Sequence, residues 1–359
     1  MAPRSSASIH NKIHREHSME YETKKPAYLT RRRALQIIAV AGVSASCWQL
    51  GLLGTGKPLQ VARRSQPIMG TVLNLTVYGP DRDSCEEAIN KTIEKMLLLE
   101  SHLSRHMQNS ELAQLNRTGR LVHPSSHLLE VLTLARDIST KTSGAFDVTI
   151  LPLLQMHESI RGENDHPDRA HLASAQKLVN FRKLHLSREE VRFTKEGMGV
   201  SLDGIGKGYI VDKGIATLKN HGFNNVYLEA GGDLMVSGRK DKSTPWRIAL
   251  RAPRSGHSQK PMIIELSDKA VATSGDYLQA FTPDLKHHHI IHPGSGFSPP
   301  ELASCTVTAP NVALADRLAT AVMVLGKNDG FDLIESMDGC ECLVVDKQMN
   351  HSSTTDFFA

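Results

Sequence analysis

Three glycines at alternate positions bracket one lysine in Val200-Ser-Leu-Asp-Gly-Ile-Gly-Lys-Gly-Tyr-Ile-Val-Asp212, just before a helical pattern. Glycine has no Cβ, so backbone amides and carbonyls here can approach a ligand or another backbone closely. A lysine at a helix start, beside exposed N–H groups, suits a phosphate. The spacing matches neither G-x-x-x-x-G-K-[ST] nor G-x-G-x-x-G, which excludes the two common nucleotide loops. A glycine-lined helix start that only packs tightly fits the same residues.

The 359 residues suffice for one large domain or two medium ones, and 40% apolar content supplies a substantial core. The formal net charge of +4 sits at one end: residues 1–33 hold eight Lys/Arg and three Asp/Glu, and the remainder holds 34 basic against 35 acidic residues. A near-neutral body offers no basic face for nucleic acid. The five cysteines include no C-x-x-C pair, which argues against a zinc ribbon.

Thr30-Arg-Arg-Arg-Ala-Leu-Gln-Ile37 leads into a mildly apolar run that ends near Gly54. Paired arginines before such a segment resemble a twin-arginine export signal, and the long polar lead of residues 1–29 suits that class. Gly42, Ser44, Ser46 and Gln49 interrupt the run, whereas about 20 strongly apolar residues are expected of a membrane span. Residues 1–54 are therefore expected to be an export signal, with an uncleaved membrane anchor as the alternative. The body is expected in the periplasm, after a linker over residues 55–66.

Alternation over residues 69–77 predicts a strand with Leu73, Leu75 and Val77 on one face. Ser84-Cys-Glu-Glu87 has the capping-box pattern and opens a helix with Ile89, Ile93, Met96, Leu97 and Leu103 as its apolar stripe. A short helix ending near Asn116 and an amphipathic helix over 128–141 follow. The charged stretch from about residue 150 to Leu172 is expected to be an irregular surface excursion. Residues 225–230 and 246–250 alternate as strands, and Ala270 to Tyr277 reads as a strand leaving into a site loop. His287, His288, His289 and His292 cluster next, with metal binding or plain solvent exposure both open. Residues 313–322 form a helix capped by Gly326. Asp316 and Thr320 are four apart, so both emerge on one helical face. They can offer hard oxygen ligands to magnesium, or act as a buried capping pair.

Taken in order, several of these stretches resemble the FAD:protein FMN transferase (ApbE) family over roughly residues 65–346. Met69-Gly-Thr71 is similar to its M-G-T, and Ser104 through Asn116 to its S-x-[aromatic]…S-E-[IL]…L-N element. Gly144-Ala-Phe-Asp147 is similar to G-A-F-D, Gly204-Ile-Gly-Lys-Gly-Tyr209 with Asp212 to G-I-[AG]-K-G-Y…D, and Gly231-Gly-Asp233 to G-G-D. Ala272-Thr-Ser-Gly-Asp-Tyr277, His289-Ile-Ile-His-Pro-Gly-Ser-Gly296 and Ala315-Asp-Arg-Leu-Ala-Thr-Ala321 resemble the remaining three motifs. Three positions depart from the pattern. Ser201 stands where an acidic residue is usual, with Asp203 two residues on. His106 replaces an aromatic ring, and His292 replaces the aspartate before Pro293.

The resemblance implies a single α+β domain, residues 67–359, with mixed β-sheets and helices around an FAD cleft. It implies cleavage of FAD and transfer of FMN through a phosphoester to a Thr or Ser of an acceptor protein, with AMP leaving. An FAD pyrophosphatase, or an exported FAD-binding protein without turnover, are the alternatives. Magnesium is the implied cofactor, held by Asp316, Thr320 and the carbonyl of Gly204. Met69, His106, Ala145, Phe146, Asp147, Ser201 and Lys207 fall at its FAD-contacting positions. His289 is the candidate base for the acceptor hydroxyl, oriented by Asp276. The implied partner is a flavoprotein subunit of a membrane or periplasmic redox system. The L-D-G-I-G-K-G-Y-I-V-D form points to the subgroup linked to nitrous oxide reductase.

Overall fold

A computed structural model describes residues 59–159, 168–240, 243–254 and 261–358. The expected export signal lies outside the described residues, all of which fall in one compact unit. At its centre is an eight-stranded sheet in which every neighbouring pair is antiparallel. In spatial order the strands are β1 (Gln60–Ile68), β2 (Thr71–Gly79), β6 (Asn225–Ala230), β7 (Asp233–Ser237), β10 (Lys269–Gly275), β11 (Leu302–Ala309), β12 (Glu341–Asp346) and β13 (His351–Ser353). A three-stranded sheet pairs β5 (Glu190–Phe193) with β3 (Arg120–Val122) and β4 (Leu184–Leu186). Strands β8 (Trp246–Leu250) and β9 (Met262–Leu266) pair separately.

The large sheet is buried on both faces, which is why β7 and β11 read as continuous apolar or small runs. Along β7, Met235 enters the main core, which it shares with helices α1 (Arg82–Leu103), α6 (Gly206–Asn220) and α7 (Val312–Leu325). Its neighbours Leu234 and Val236 point the other way, into a second core with Trp246, Ile248 and Ile264. Successive side chains of a strand alternate in this way. The α+β expectation holds.

Several local expectations are corrected. Strand β1 begins inside the segment assigned to a linker and pairs with β2 along its length, from Gln60↔Gly79 to Ile68↔Thr71. Its exposed side is polar, as edge strands often are, so no apolar run betrayed it. Met69 and Gly70 do not open a strand. They form the two-residue turn between β1 and β2, with φ of 50° and 67°. Gly231 and Gly232, φ 64° and 101°, turn β6 into β7 in the same way. Two positive φ values at the turn match the twist of antiparallel strands.

Helix α1 is capped by Asp81, whose carboxylate accepts the Ser84 N–H at 2.8 Å, and not by the box starting at Ser84. On that helix Leu97 is 45% exposed, and Leu99 takes the inward position. The charged stretch after residue 150 contains two helices, Leu151–Ser159 and Arg169–Gln176, which bury Leu151, Leu153, Leu154, His157 and Leu172. In chain order, with Glu111–Thr118 as α2 and Ser126–Lys141 as α3, they are α4 and α5.

Candidate functional site

Helix α6 starts without a side-chain cap, because Ile205 occupies the capping position. Its first turn instead presses on the start of α7. A Cβ on Gly208 would lie 2.6 Å from the Val312 carbonyl oxygen and 2.9 Å from the Ala313 Cα. Asp212, one turn further along α6, accepts the Val312 and Ala313 N–H groups at 2.8 and 2.9 Å. A carboxylate there satisfies the open amides of α7 and complements its dipole. So the K-G-Y…D spacing docks one helix onto the end of the next. Gly208→Ala is expected to cost about 1–3 kcal/mol, because backbone cannot move aside as a side chain can. An unchanged urea-unfolding midpoint would contradict this packing.

That docking brings Asp316 and Thr320 of α7 to the glycine bend. Asp316, 4% exposed, accepts the Gly208 N–H at 3.2 Å. The first helical bond of α6 runs from Tyr209 to Ile205. Among the described residues, no hydrogen bond takes the Gly204 carbonyl. A Cβ on Gly204 would stand 2.9 Å from Thr320 Oγ1 and 3.3 Å from the Phe146 ring. Thr320 Oγ1 is also 3.1 Å from Ser274 Oγ, at the end of β10.

Lys207 forms an ion pair with Asp233, which is 2% exposed and follows the Gly231-Gly232 turn. That turn backs onto Thr71: a Cβ on Gly231 would meet Thr71 Oγ1 at 2.7 Å. Both hairpin tips therefore meet beside the glycine bend. Burial alone would lower the Lys207 pKa, but Asp233, Asp316 and Asp203 outweigh it and hold the ammonium above the usual lysine range. Burial raises the Asp316 carboxyl, and Asp233 and Asp203 add to it against Lys207 and the Gly208 N–H. Among the described residues, no three His, Cys, Asp or Glu side chains assemble a metal site. What the bend offers is one carboxylate, one hydroxyl and one carbonyl, all hard oxygen donors that suit magnesium.

The expected flavin-contacting residues divide. Phe146, 5% exposed, packs in the main core yet touches the Gly204 position. Asp147 is spent on the chain itself: one oxygen accepts the Thr149 N–H and hydroxyl, the other accepts the Phe181 N–H at 2.8 Å. Ala145 and Met69 are partly buried against the core, and His106 is exposed. Ser201 is buried, and its Oγ accepts the Asp203 N–H at 3.2 Å. A cavity of about 590 Å³ opens between the G-A-F-D loop, residues 173–182 and Pro293-Gly294, with the Arg182 guanidinium 4.5 Å above the Phe181 ring.

His289 is partly buried in a short ladder beside residues 279–281, and its Nδ1 lies 3.3 Å from the Gln279 carbonyl. Asp276 is fully buried, and both of its oxygens are occupied by cations. Arg254 binds it bidentately at 2.7 Å, and Lys347 contacts Oδ2. It is thus an anchor for three segments. His288 is fully buried, and burial pushes its pKa down to about 3, so it stays neutral. His292 Nδ1 accepts the Ser295 N–H at 3.1 Å, a turn-closing role that the usual aspartate could also fill. Sequence reasoning missed Arg105, Asp233, Arg254 and Lys347 as members of the site. Only Asp233 had a local signal, in the G-G-D turn.

Comparisons with known proteins bear on the family of the chain. The ApbE family model matches residues 69–344. A Vibrio cholerae protein named FAD:protein FMN transferase is 30% identical over 297 residues, covering 79% of this chain and 87% of its own. A solved ApbE protein from Thermotoga maritima superposes with a TM-score of 0.75 at 25% identity, over 83% of this chain and 98% of its own. The apo flavinyl transferase ApbE of Pseudomonas stutzeri gives 0.73 at 26% identity, over 86% and 98%. On the matched motifs, the shared fold and the site they build, this chain belongs to the ApbE family.

Proposed function

We propose that this protein is a magnesium-dependent FAD:protein FMN transferase. It cleaves the FAD diphosphate, joins FMN to a Thr or Ser hydroxyl of an acceptor protein, and releases AMP. The observation that carries this is the Gly204 bend: its Cβ position faces Thr320, its carbonyl takes no hydrogen bond among the described residues, and Asp316 and Lys207 are held at the same helix junction. Phosphoryl transfer depends mostly on positioning and charge neutralisation, and these residues supply both. Magnesium held by Asp316, Thr320 and the Gly204 carbonyl would polarise the diphosphate and stabilise the leaving phosphate. Lys207 adds a fixed positive charge beside that diphosphate. Met69, His106, Ala145, Phe146 and Ser201 line the flavin side, while Asp147 shapes its loop. His289 removes the proton of the attacking hydroxyl.

The protein acts in the periplasm after twin-arginine export, on a flavoprotein subunit of a redox system associated with nitrous oxide reductase. The N-terminal arginines and the L-D-G-I-G-K-G-Y-I-V-D form support that placement. No helix of the described residues is long and apolar enough to cross a membrane. Incubation with FAD, magnesium and a Thr-containing acceptor separates the candidate activities. Covalent flavin on the acceptor with equimolar AMP is expected. Free FMN with AMP would mean hydrolysis instead, and bound flavin with no AMP would mean a carrier.

A further inference from the structure

Arg105 lies in the loop after α1, with its side chain 12% exposed. Its guanidinium bridges carboxylates from two other segments. Nη2 donates to Glu158 of α4 at 2.9 Å, and Nε donates to Asp203 at 3.1 Å. Asp203 is the chain neighbour of Gly204. The loop that presents Arg105 is itself fixed: Ser110 Oγ donates to the Ser104 carbonyl at 2.6 Å, and Ser104 Oγ accepts the His106 N–H at 3.3 Å. One planar, always-charged group therefore ties a loop, a helix end and the glycine bend together.

Without Arg105, the Asp203 and Glu158 side chains would lose their shared partner. The backbone running from Asp203 into Gly204 would then keep only the Ser201 Oγ contact to the Asp203 N–H and the turn bonds from the Ile205 and Gly206 N–H groups to the Leu202 carbonyl.

We infer that Arg105 is a positioning residue for the transfer reaction: by pairing with Asp203 it holds the glycine bend at Gly204 beside Thr320. This rests on the magnesium-dependent transferase reading above. It also explains the departure at Ser201. The carboxylate absent there stands two residues later, at Asp203, where an arginine from outside the motif restrains it.

The sign of the effect on metal binding is the test. Removing a cation near a divalent ion should tighten the ion by simple electrostatics. Loss of positioning should loosen it. Magnesium affinity measured by calorimetry on the protein alone is expected to fall about 10–100-fold in Arg105→Met, the usual cost of losing a partner that orients ligands. Arg105→Lys should recover part of this, because it keeps the charge without the fork. Asp203→Asn should weaken binding in the native background, and it should add little to Arg105→Met, since coupled residues are non-additive. Unchanged or tighter magnesium binding in Arg105→Met, or fully additive losses, would overturn the assignment. If the Arg105→Met protein does not fold, Arg105→Lys alone decides, with native affinity counting against the role. Native protein that binds no magnesium would instead defeat the transferase reading itself.

Discussion

Asp316→Ala is expected to abolish magnesium-dependent FAD cleavage, with a loss of at least about a hundredfold. Partners that merely orient metal ligands already cost about 10–100-fold when removed, and Asp316 is the one charged side chain among the three proposed ligands. Its buried carboxyl is raised by burial and by Asp233 and Asp203, and a divalent cation beside it would favour the ionised form. The substitution also strands the Gly208 N–H that Asp316 accepts at 3.2 Å. That second effect costs stability, on the order of 1–3 kcal/mol for a buried donor left unsatisfied. Asp316→Asn separates the two, since an amide oxygen can still accept from Gly208 while the charge is gone. It should restore the unfolding midpoint without restoring turnover. Equal activity of the native and alanine proteins, with and without a chelator, would rule out this metal site.

His289→Ala is expected to lower transfer by about 10²–10⁴, the usual contribution of a positioned base. FAD affinity, read from flavin fluorescence, should stay near native. The separation follows from the proposed role, since the ring acts on the acceptor hydroxyl and not on FAD. If Nδ1–H donates to the Gln279 carbonyl 3.3 Å away, Nε2 is left as the basic nitrogen. Asp276 was expected to orient this ring, but its oxygens serve Arg254 and Lys347. Full labelling of the acceptor by His289→Ala would remove the residue from the chemistry.

Much of the proposed metal-binding side could be read in the sequence, because its geometry is local. Asp316 and Thr320 are one helical turn apart, and Gly204 and Lys207 lie within a single bend. The inward face of β2 was legible for the same reason, since alternation is a local signal, whereas the α+β class came from the family resemblance. What escaped were relations between distant segments. Arg105 and Asp203 are 98 residues apart, and Lys347 and Asp276 are 71 apart. No periodicity encodes such a pairing. Asp147 shows the converse. Its motif suggested a ligand contact, yet its oxygens close the loop by binding Thr149 and Phe181. Strand β1 was hidden by its polar outer side, and α4 by the charged residues around it. His292 departs from the family pattern, yet its ring nitrogen accepts the turn's N–H.

The central claim is that Gly204, Asp316 and Thr320 grip one divalent ion against the diphosphate of FAD. A crystal structure of the His289→Ala protein with FAD and magnesium tests it most directly. The account predicts an ion about 2.0–2.1 Å from the Asp316 carboxylate, the Thr320 hydroxyl and the Gly204 carbonyl, touching the diphosphate, with the flavin on the Met69 and Phe146 side. A diphosphate bound elsewhere, with Asp316 and Thr320 making no contact to metal or nucleotide, would contradict it.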